Sequence, residues 1–223
     1  SRGLGDVYKR QALHGKHIFR KVTELTEYAR EEINQIGDYY AYGSELVNGD
    51  TVYDFDVTKL AVNTLDVGLA GIEVYDVLRD FYDIQTEFGD LGNLLAYVSV
   101  GDRERDLERL VAALADIRRR YKRDKATLIR QEYISPQVVA APQEAFYAEK
   151  QAVALDEANG RICAEFVMCY PPGIPILAPG ERITGEILDY IRYAKDKNCM
   201  LLGTEDPDVN NLQVIKGVIS PCD

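Results

Sequence analysis

A proline-dense run, Tyr170 to Glu181 (YPPGIPILAPGE), limits the folds open to this chain more than any other stretch. Proline fixes the backbone φ angle and removes an N–H donor, so this run is neither a helix interior nor a central strand. Ile174, Ile176 and Leu177 favour burial, which makes an exposed polyproline ligand the weaker interpretation. The run predicts a stiff, extended loop packed on neighbouring structure, with Glu181 in a structural role just before a helix.

Composition and charge narrow the class of protein. The chain has 223 residues, 46% of them hydrophobic and 28% charged, which is enough for one large domain or two small ones. The formal net charge of −11 disfavours a nucleic-acid binder, because such a protein needs basic surface to displace counterions. No apolar run reaches the roughly 18 residues that a membrane span requires. We therefore expect a globular protein that binds neither nucleic acid nor membrane.

The cysteines indicate a reducing environment rather than a metal site. Cys163 and Cys169 are six residues apart in an apolar stretch, no C-x-x-C pair occurs, and the histidines are limited to His14 and His17. This supply of ligands is too small for a zinc site, so no metal is expected. The two cysteines are interpreted as small buried hydrophobic residues of a reduced, cytoplasmic protein.

Apolar periodicity predicts the elements of the first half. They are a helix over Ala12–Ile36, a strand over Val52–Thr64, a helix after Gly71, a short strand over Ile84–Glu87, a strand over Asn93–Val100 and a helix ending at Tyr121. Arg30 falls on a polar face of the first helix, and Phe81 on the apolar face of the second. The two longer strands are expected in one sheet, which gives an α+β or α/β unit.

The second half also mixes helices with strands and is expected to form a separate domain. Its predicted elements are a helix over Ala145–Lys150, a helix over Asp156–Cys163, a strand over Ala164–Tyr170 and a helix over Thr184–Lys197. Residues 1–11 change character abruptly at Ala12 and are interpreted as a non-native or read-through segment. The expected organisation is then a domain over 12–121, a linker over 122–134 and a domain over 135–223.

Several motifs occur in one order and together resemble a known family. They are LHGK at Leu13–Lys16, DVTKL at Asp56–Leu60, SP at Ser135–Pro136, PQEAF at Pro142–Phe146 and GRICAEFVMCYPPGIPILAPGERIT at Gly160–Thr184. The last string is similar to the signature of the C-terminal domain in prokaryotic ornithine/lysine/arginine decarboxylases. The resemblance implies that residues 12–121 are the small domain of a fold-type-I pyridoxal-phosphate (PLP) enzyme. Residues 135–223 would be the family's C-terminal domain.

The function that this resemblance implies is decarboxylation of a basic amino acid. The sequence is most similar to arginine decarboxylases, which release agmatine and CO2. Lysine and ornithine are the alternative substrates. The family binds PLP through a lysine that follows a histidine, whereas here Lys16 precedes His17. The resemblance therefore places the catalytic lysine upstream of Ala12. It assigns no catalytic or cofactor-binding residue to this C-terminal fragment, so the fragment by itself is expected to be inactive. It also implies a homodimer or larger homo-oligomer.

Glu87 is the site residue that the resemblance assigns. In the family, a glutamate at the matching position binds the distal cationic group of the substrate. A carboxylate can pair with a guanidinium through two hydrogen bonds, or with an ammonium as a point charge. Taken by itself, a glutamate at the end of a strand is more often a surface residue without a ligand.

Two other classes of protein stay open at this point. The missing cofactor lysine favours a stand-alone, non-catalytic binding or regulatory module, although such a module should begin at a domain boundary. The small domain of an aminotransferase is the other alternative. The YPPGIP…PGE domain disfavours it, because aminotransferases usually end soon after their small domain.

Overall fold

The computed structural model describes residues 2–124 and 134–217 of the chain. The chain divides into two compact units, residues 1–128 and residues 129–223. The division falls inside the segment expected to be a linker. Among the described residues, no helix is both long and apolar enough to cross a membrane.

The first unit packs three helices against an antiparallel sheet. Its elements are α1 (Arg2–Ile36), β1 (Tyr40–Ala41), β2 (Lys59–Asn63), α2 (Gly71–Tyr82), β3 (Phe88–Gly89), β4 (Asn93–Tyr97) and α3 (Glu104–Tyr121). The strands lie in the order β1-β2-β4-β3, and β2 pairs with β4 along its whole length, from Lys59 opposite Tyr97 to Asn63 opposite Asn93. The prediction that the two longer strands share a sheet is confirmed.

The core of the first unit follows the two periodicities of helix and strand. Alternate residues of β2 and β4 are buried, and the buried faces of the helices complete the cluster, because one face of each element must leave water. The largest fully buried side chains of the unit are Ile33, Leu60, Leu69, Leu78, Leu94, Leu114 and Ile117. α1 is continuous from Arg2, so it includes most of residues 1–11. The non-native origin of that segment stays a prediction.

Three strand predictions in the first unit were wrong in whole or in part. Residues 52–58 are not in a strand, because side chains there take up backbone N–H groups: Asp56 accepts from Thr58 at 3.0 Å, and Asn48 accepts from Val52 at 3.1 Å. Ile84–Glu87 contains no strand, and β3 begins only at Phe88. The strand predicted to reach Val100 ends at Tyr97.

The burial of two side chains is the opposite of what the sequence predicted. Arg30, expected on a polar face, is 4% exposed. Its guanidinium donates to the carbonyl oxygens of Tyr42 at 2.6 Å and Val57 at 3.1 Å, and it pairs with Glu27 at 2.8 Å. Phe81, expected in the core, is 72% exposed, because the buried face of α2 runs through Val74 and Leu78.

The second unit contains two short helices and two small sheets among its described residues. Its elements are α4 (Pro142–Tyr147), β5 (Lys150–Ala154), β6 (Val167–Tyr170), β7 (Ile174–Leu177), α5 (Gly185–Asp196), β8 (Met200–Leu202) and β9 (Asn211–Ile215). β5 pairs with β9, and the second sheet has the order β7-β6-β8. α5 begins after Thr184, whose hydroxyl accepts the Ile187 N–H at 3.3 Å, as an N-cap should.

The proline-dense run forms a hairpin rather than a loop. β7 lies at the edge of its sheet, where Pro175 removes no ladder bond from the interior, so the exclusion of a central strand was right. Ile174, expected to be buried, is 68% exposed. The Glu181 carboxylate accepts the Ala178 N–H at 2.9 Å and closes the turn, which agrees with a structural role.

Other features of the second unit correct or confirm the sequence interpretation. The helix predicted over Asp156–Cys163 is a single 3-10 turn at Leu155–Glu157, and the chain turns at Gly160 with a φ angle of 79°. The short helix begins at Pro142, which is favourable in a first turn, and not at Ala145. Cys163 and Cys169 are buried as predicted, and burial raises the pKa of the Cys163 thiol to about 12. Cys222 lies outside the described residues.

Candidate functional site

Glu87 lies at the edge of the first unit's sheet, immediately before β3. Its side chain is exposed, and its N–H donates to the carbonyl oxygen of Leu95 on β4 at 2.9 Å. The neighbouring Thr86 points the other way and is 7% exposed. The backbone bond to β4 fixes where the Glu87 side chain leaves the sheet.

The turn after β3 is fixed by one carboxylate and by the first turn of α2. Asp90 accepts the N–H groups of Gly92 at 2.7 Å and Asn93 at 2.6 Å, so its charge is used inside the turn. The Ile72 N–H, at the start of α2, donates to the carbonyl oxygen of Asp90 at 2.8 Å. This bond satisfies one of the free N–H groups that every helix has in its first turn.

Some carboxylates of the first unit are paired, in contrast to Glu87. The Asp38 carboxylate accepts from Lys122 at 2.5 Å and from Arg118 at 2.7 Å, and these bonds lower the pKa of Asp38. Bonds from Arg119 and from the Tyr82 hydroxyl lower the pKa of Asp116 to about 2. Within the described residues, no Lys, Arg or His nitrogen lies within 4.0 Å of the Glu87 carboxylate. The Glu87 carboxylate is therefore accessible to a cationic ligand.

A polar network that the sequence did not predict joins β2, β4 and Tyr42, the residue that follows β1. The Tyr42 hydroxyl donates to the Asn93 side-chain oxygen at 3.1 Å, and the Asn63 amide donates to the same oxygen at 3.2 Å. Asparagine is depleted in strands, so its presence at paired positions of β2 and β4 was the signal that could have revealed this network.

Neither Lys16 nor the close glycine contacts of the first unit fit PLP. A PLP site needs a lysine and an open cradle of backbone N–H groups for the phosphate. Lys16 lies on an exposed part of α1, and the close backbone approaches at Gly71 and Gly89 are filled by the protein's own carbonyl groups. Nor do the described residues contain a group of three or more His, Cys, Asp or Glu side chains that could hold a metal ion.

Most of the second unit matches a known protein family. The family model described as Orn/Lys/Arg decarboxylase, C-terminal domain, matches residues 124–211. The chain belongs to this decarboxylase family, as the motifs from Leu13 to Thr184 predicted. The match also disfavours the aminotransferase alternative, since it falls on the domain that follows the first unit.

Individual relatives are similar along nearly the whole chain. Arginine decarboxylase of Bacillus subtilis (strain 168) is 38% identical over 211 residues, which is 93% of this chain and 43% of the relative. Arginine decarboxylase of Bacillus anthracis is 39% identical, with the same coverage. Lysine decarboxylase LdcA of Pseudomonas aeruginosa is 36% identical over 77% of this chain and 23% of its own length. The chain therefore spans less than half the length of these relatives.

Solved structures show the same fold. The Francisella novicida lysine decarboxylase LdcF superposes with a TM-score of 0.64 at 18% identity, covering 91% of this chain and 40% of that one. The constitutive lysine decarboxylase of E. coli superposes with a TM-score of 0.60 at 17% identity, covering 91% of this chain and 41% of that one. Both structures agree with the mixed helix and sheet observed here.

Proposed function

We propose that the intact protein is a PLP-dependent decarboxylase of a basic amino acid, with arginine as substrate and agmatine and CO2 as products. Support comes from membership of the decarboxylase family and from arginine decarboxylases at 38–39% identity over 93% of the chain. Lysine is the second candidate substrate, because a lysine decarboxylase is 36% identical over 77% of the chain. Ornithine is the third. A cytoplasmic homodimer or larger homo-oligomer belongs to the same proposal.

The cofactor would be held by residues outside this chain, since the described residues do not fit it. PLP supplies the electron sink for the loss of CO2 when it is bound. The first unit would be the small domain of a fold-type-I enzyme. Its contribution to the reaction would be to bind the far end of the substrate, and the second unit would be the family's C-terminal domain.

Glu87 carries this assignment. Its carboxylate is exposed and has no cationic partner among the described residues, while its backbone is fixed by the hydrogen bond to Leu95. A fixed carboxylate at a sheet edge can accept two parallel N–H bonds from a guanidinium, or one from an ammonium. We therefore infer that Glu87 binds the distal cation of the substrate and orients the substrate for the reaction.

The test of this role is the Glu87→Gln variant of the full-length protein. The amide keeps the size of the side chain but loses charge-assisted hydrogen bonds, which contribute roughly 1.5–3 kcal/mol each. We expect kcat/KM for the preferred substrate to fall about ten- to hundred-fold. The PLP absorbance should not change, because Glu87 is proposed to touch the substrate and not the cofactor.

Asp90→Asn is the matched control for this experiment. The Asp90 carboxylate already accepts two N–H groups inside its own turn, and asparagine retains an acceptor oxygen for them. We expect little change in kcat/KM for arginine, lysine or ornithine. Equal and small losses in both variants would mean that Glu87 is a surface carboxylate with no role in substrate binding.

A further inference from the structure

Two glycines hold the segment that carries Glu87 against the first turn of α2. A Cβ atom on Gly89 would lie 2.5 Å from the Gly71 carbonyl carbon and 2.8 Å from the Ile72 nitrogen. A Cβ atom on Gly71 would lie 2.8 Å from the Asp90 carbonyl oxygen and would overlap the Asn93 carbonyl oxygen. All of these neighbours are backbone atoms, so no side-chain rotation can make room. The helix and the strand approach each other at a distance that only glycine permits.

The same segment is fixed to α2 at both ends of the helix. At the C-terminal end of α2, the Ile84 N–H donates to the Leu78 carbonyl oxygen at 3.0 Å. At the N-terminal end, the Ile72 N–H donates to the Asp90 carbonyl oxygen at 2.8 Å. Glu87 lies midway between these two anchors, three residues from each, and is bonded to Leu95 on its other side. Its position therefore depends on how closely α2 approaches β3.

We propose that Gly71 and Gly89 are positioning residues for the Glu87 carboxylate, and that their contact sets the distance at which the far end of the substrate is bound. The proposal rests on the proposed function. Ordinary Cβ contacts lie at 3.4–4 Å, so a methyl group on Gly89 would force α2 and β3 apart by about 1 Å. A displacement of about 1 Å in a group that orients a substrate can cost on the order of a hundred-fold in rate.

The first experiment compares Gly89→Ala with Gly101→Ala in the full-length protein. A Cβ on Gly101 would meet only the Ser99 hydroxyl oxygen, at 3.7 Å, which is an ordinary contact. We expect Gly89→Ala to lower kcat/KM about ten- to hundred-fold, mostly through KM, and to change the ratio of activity on arginine and lysine. Gly101→Ala should behave as the unmodified protein. Wild-type KM and substrate ratio in a folded Gly89→Ala variant would overturn the proposal.

A double variant separates positioning from general damage. If Gly89 acts only through Glu87, then adding Gly89→Ala to Glu87→Gln should cause no further loss, because coupled residues are not additive. Independent, multiplying losses would show that the glycine contact supports the enzyme in some other way and would overturn the proposal. Hydrogen exchange of the Glu87 N–H, which should be faster in Gly89→Ala, reports the same displacement without relying on activity.

A substitution at Asp90 gives a second test of the proposal if Gly89→Ala prevents folding. Asp90→Ala removes the acceptor of two N–H groups from the turn and inserts no atom into the glycine contact. We expect a smaller rise in KM, in the same direction, which Asp90→Asn largely avoids. Wild-type KM and wild-type Glu87 exchange in Asp90→Ala would count against the proposal. If Glu87→Gln alone has no effect while Gly89→Ala still speeds Glu87 exchange, the proposed function fails and the positioning contact stands.

Discussion

Thr86, the residue before Glu87, places a hydroxyl group in the core of the first unit without a hydrogen-bond partner among the described residues. The residue is 7% exposed, and a buried hydroxyl without a partner costs free energy relative to its hydrated state in the unfolded chain. Thr86→Val keeps the branched shape and removes the hydroxyl. We expect the free energy of unfolding of the 223-residue chain to rise by about 1 kcal/mol, measured by urea denaturation.

Thr64→Val is the matched control, because the buried Thr64 hydroxyl donates to the Leu69 carbonyl oxygen at 2.8 Å. Removing it should lower the free energy of unfolding by about 1 kcal/mol. A Thr86→Val variant that loses as much stability as Thr64→Val would show that the Thr86 hydroxyl has a partner in solution.

At the same scale, the sequence predicted the burial of small apolar side chains better than the burial of charged ones. Cys163 and Cys169 are buried as predicted, since small apolar residues in an apolar stretch have few alternatives. Arg30 was predicted to be exposed, because helical periodicity alone cannot show that carbonyl groups distant in sequence, those of Tyr42, Val57 and Lys59, need a donor. Glu87 could be nominated only through the resemblance to a family.

At the scale of elements, the longer helices were predicted well, the helix over Asp156–Cys163 was wrong, and several short strands were missed. The predicted helix over Thr184–Lys197 differs from α5 by one residue at each end, because its apolar spacing and its N-cap are local signals. β5, β8 and β9 were missed. β5 pairs with β9, which is about sixty residues further along the chain, and no local pattern reports such a partner.

Glu165 joins elements of the second unit that are distant in sequence. It is 3% exposed, and its carboxylate accepts the N–H groups of Glu205 and Gln213, each at 2.8 Å. Burial raises the pKa of Glu165, while these two backbone bonds oppose the rise. Glutamine can accept only one of the bonds and turns an NH2 group toward the other donor. We expect Glu165→Gln to lower the free energy of unfolding by about 2 kcal/mol.

The comparison variant for this element is Glu157→Gln, because Glu157 is exposed at the end of a 3-10 turn. Exposed substitutions usually change stability by less than about 0.5 kcal/mol. Urea denaturation of both variants measures the difference. If Glu165→Gln is as stable as Glu157→Gln, the carboxylate does not hold the two distant segments together.

At the scale of the whole molecule, the order of the motifs predicted the family correctly. The location of the lysine that binds PLP still needs a test. The proline-dense hairpin and its flanking motifs identify the C-terminal domain, and the match over residues 124–211 confirms that identification. The chain covers 43% of the length of its arginine decarboxylase relatives. We propose that the lysine that binds PLP lies in the remaining part, because no lysine of this chain directly follows a histidine.

Covalent labelling tests where the cofactor binds. The 223-residue chain and the full-length protein are each mixed with PLP, reduced with borohydride and digested, and pyridoxyl-lysines are mapped by mass spectrometry. In the full-length protein, we expect stoichiometric labelling of one lysine that follows a histidine and lies outside this chain. In the chain alone, we expect only weak labelling spread over exposed lysines such as Lys16, since surface amines react slowly and without selection. Stoichiometric labelling of one lysine within the chain would contradict the proposed location, and a full-length protein without any labelled lysine would favour a non-catalytic binding module.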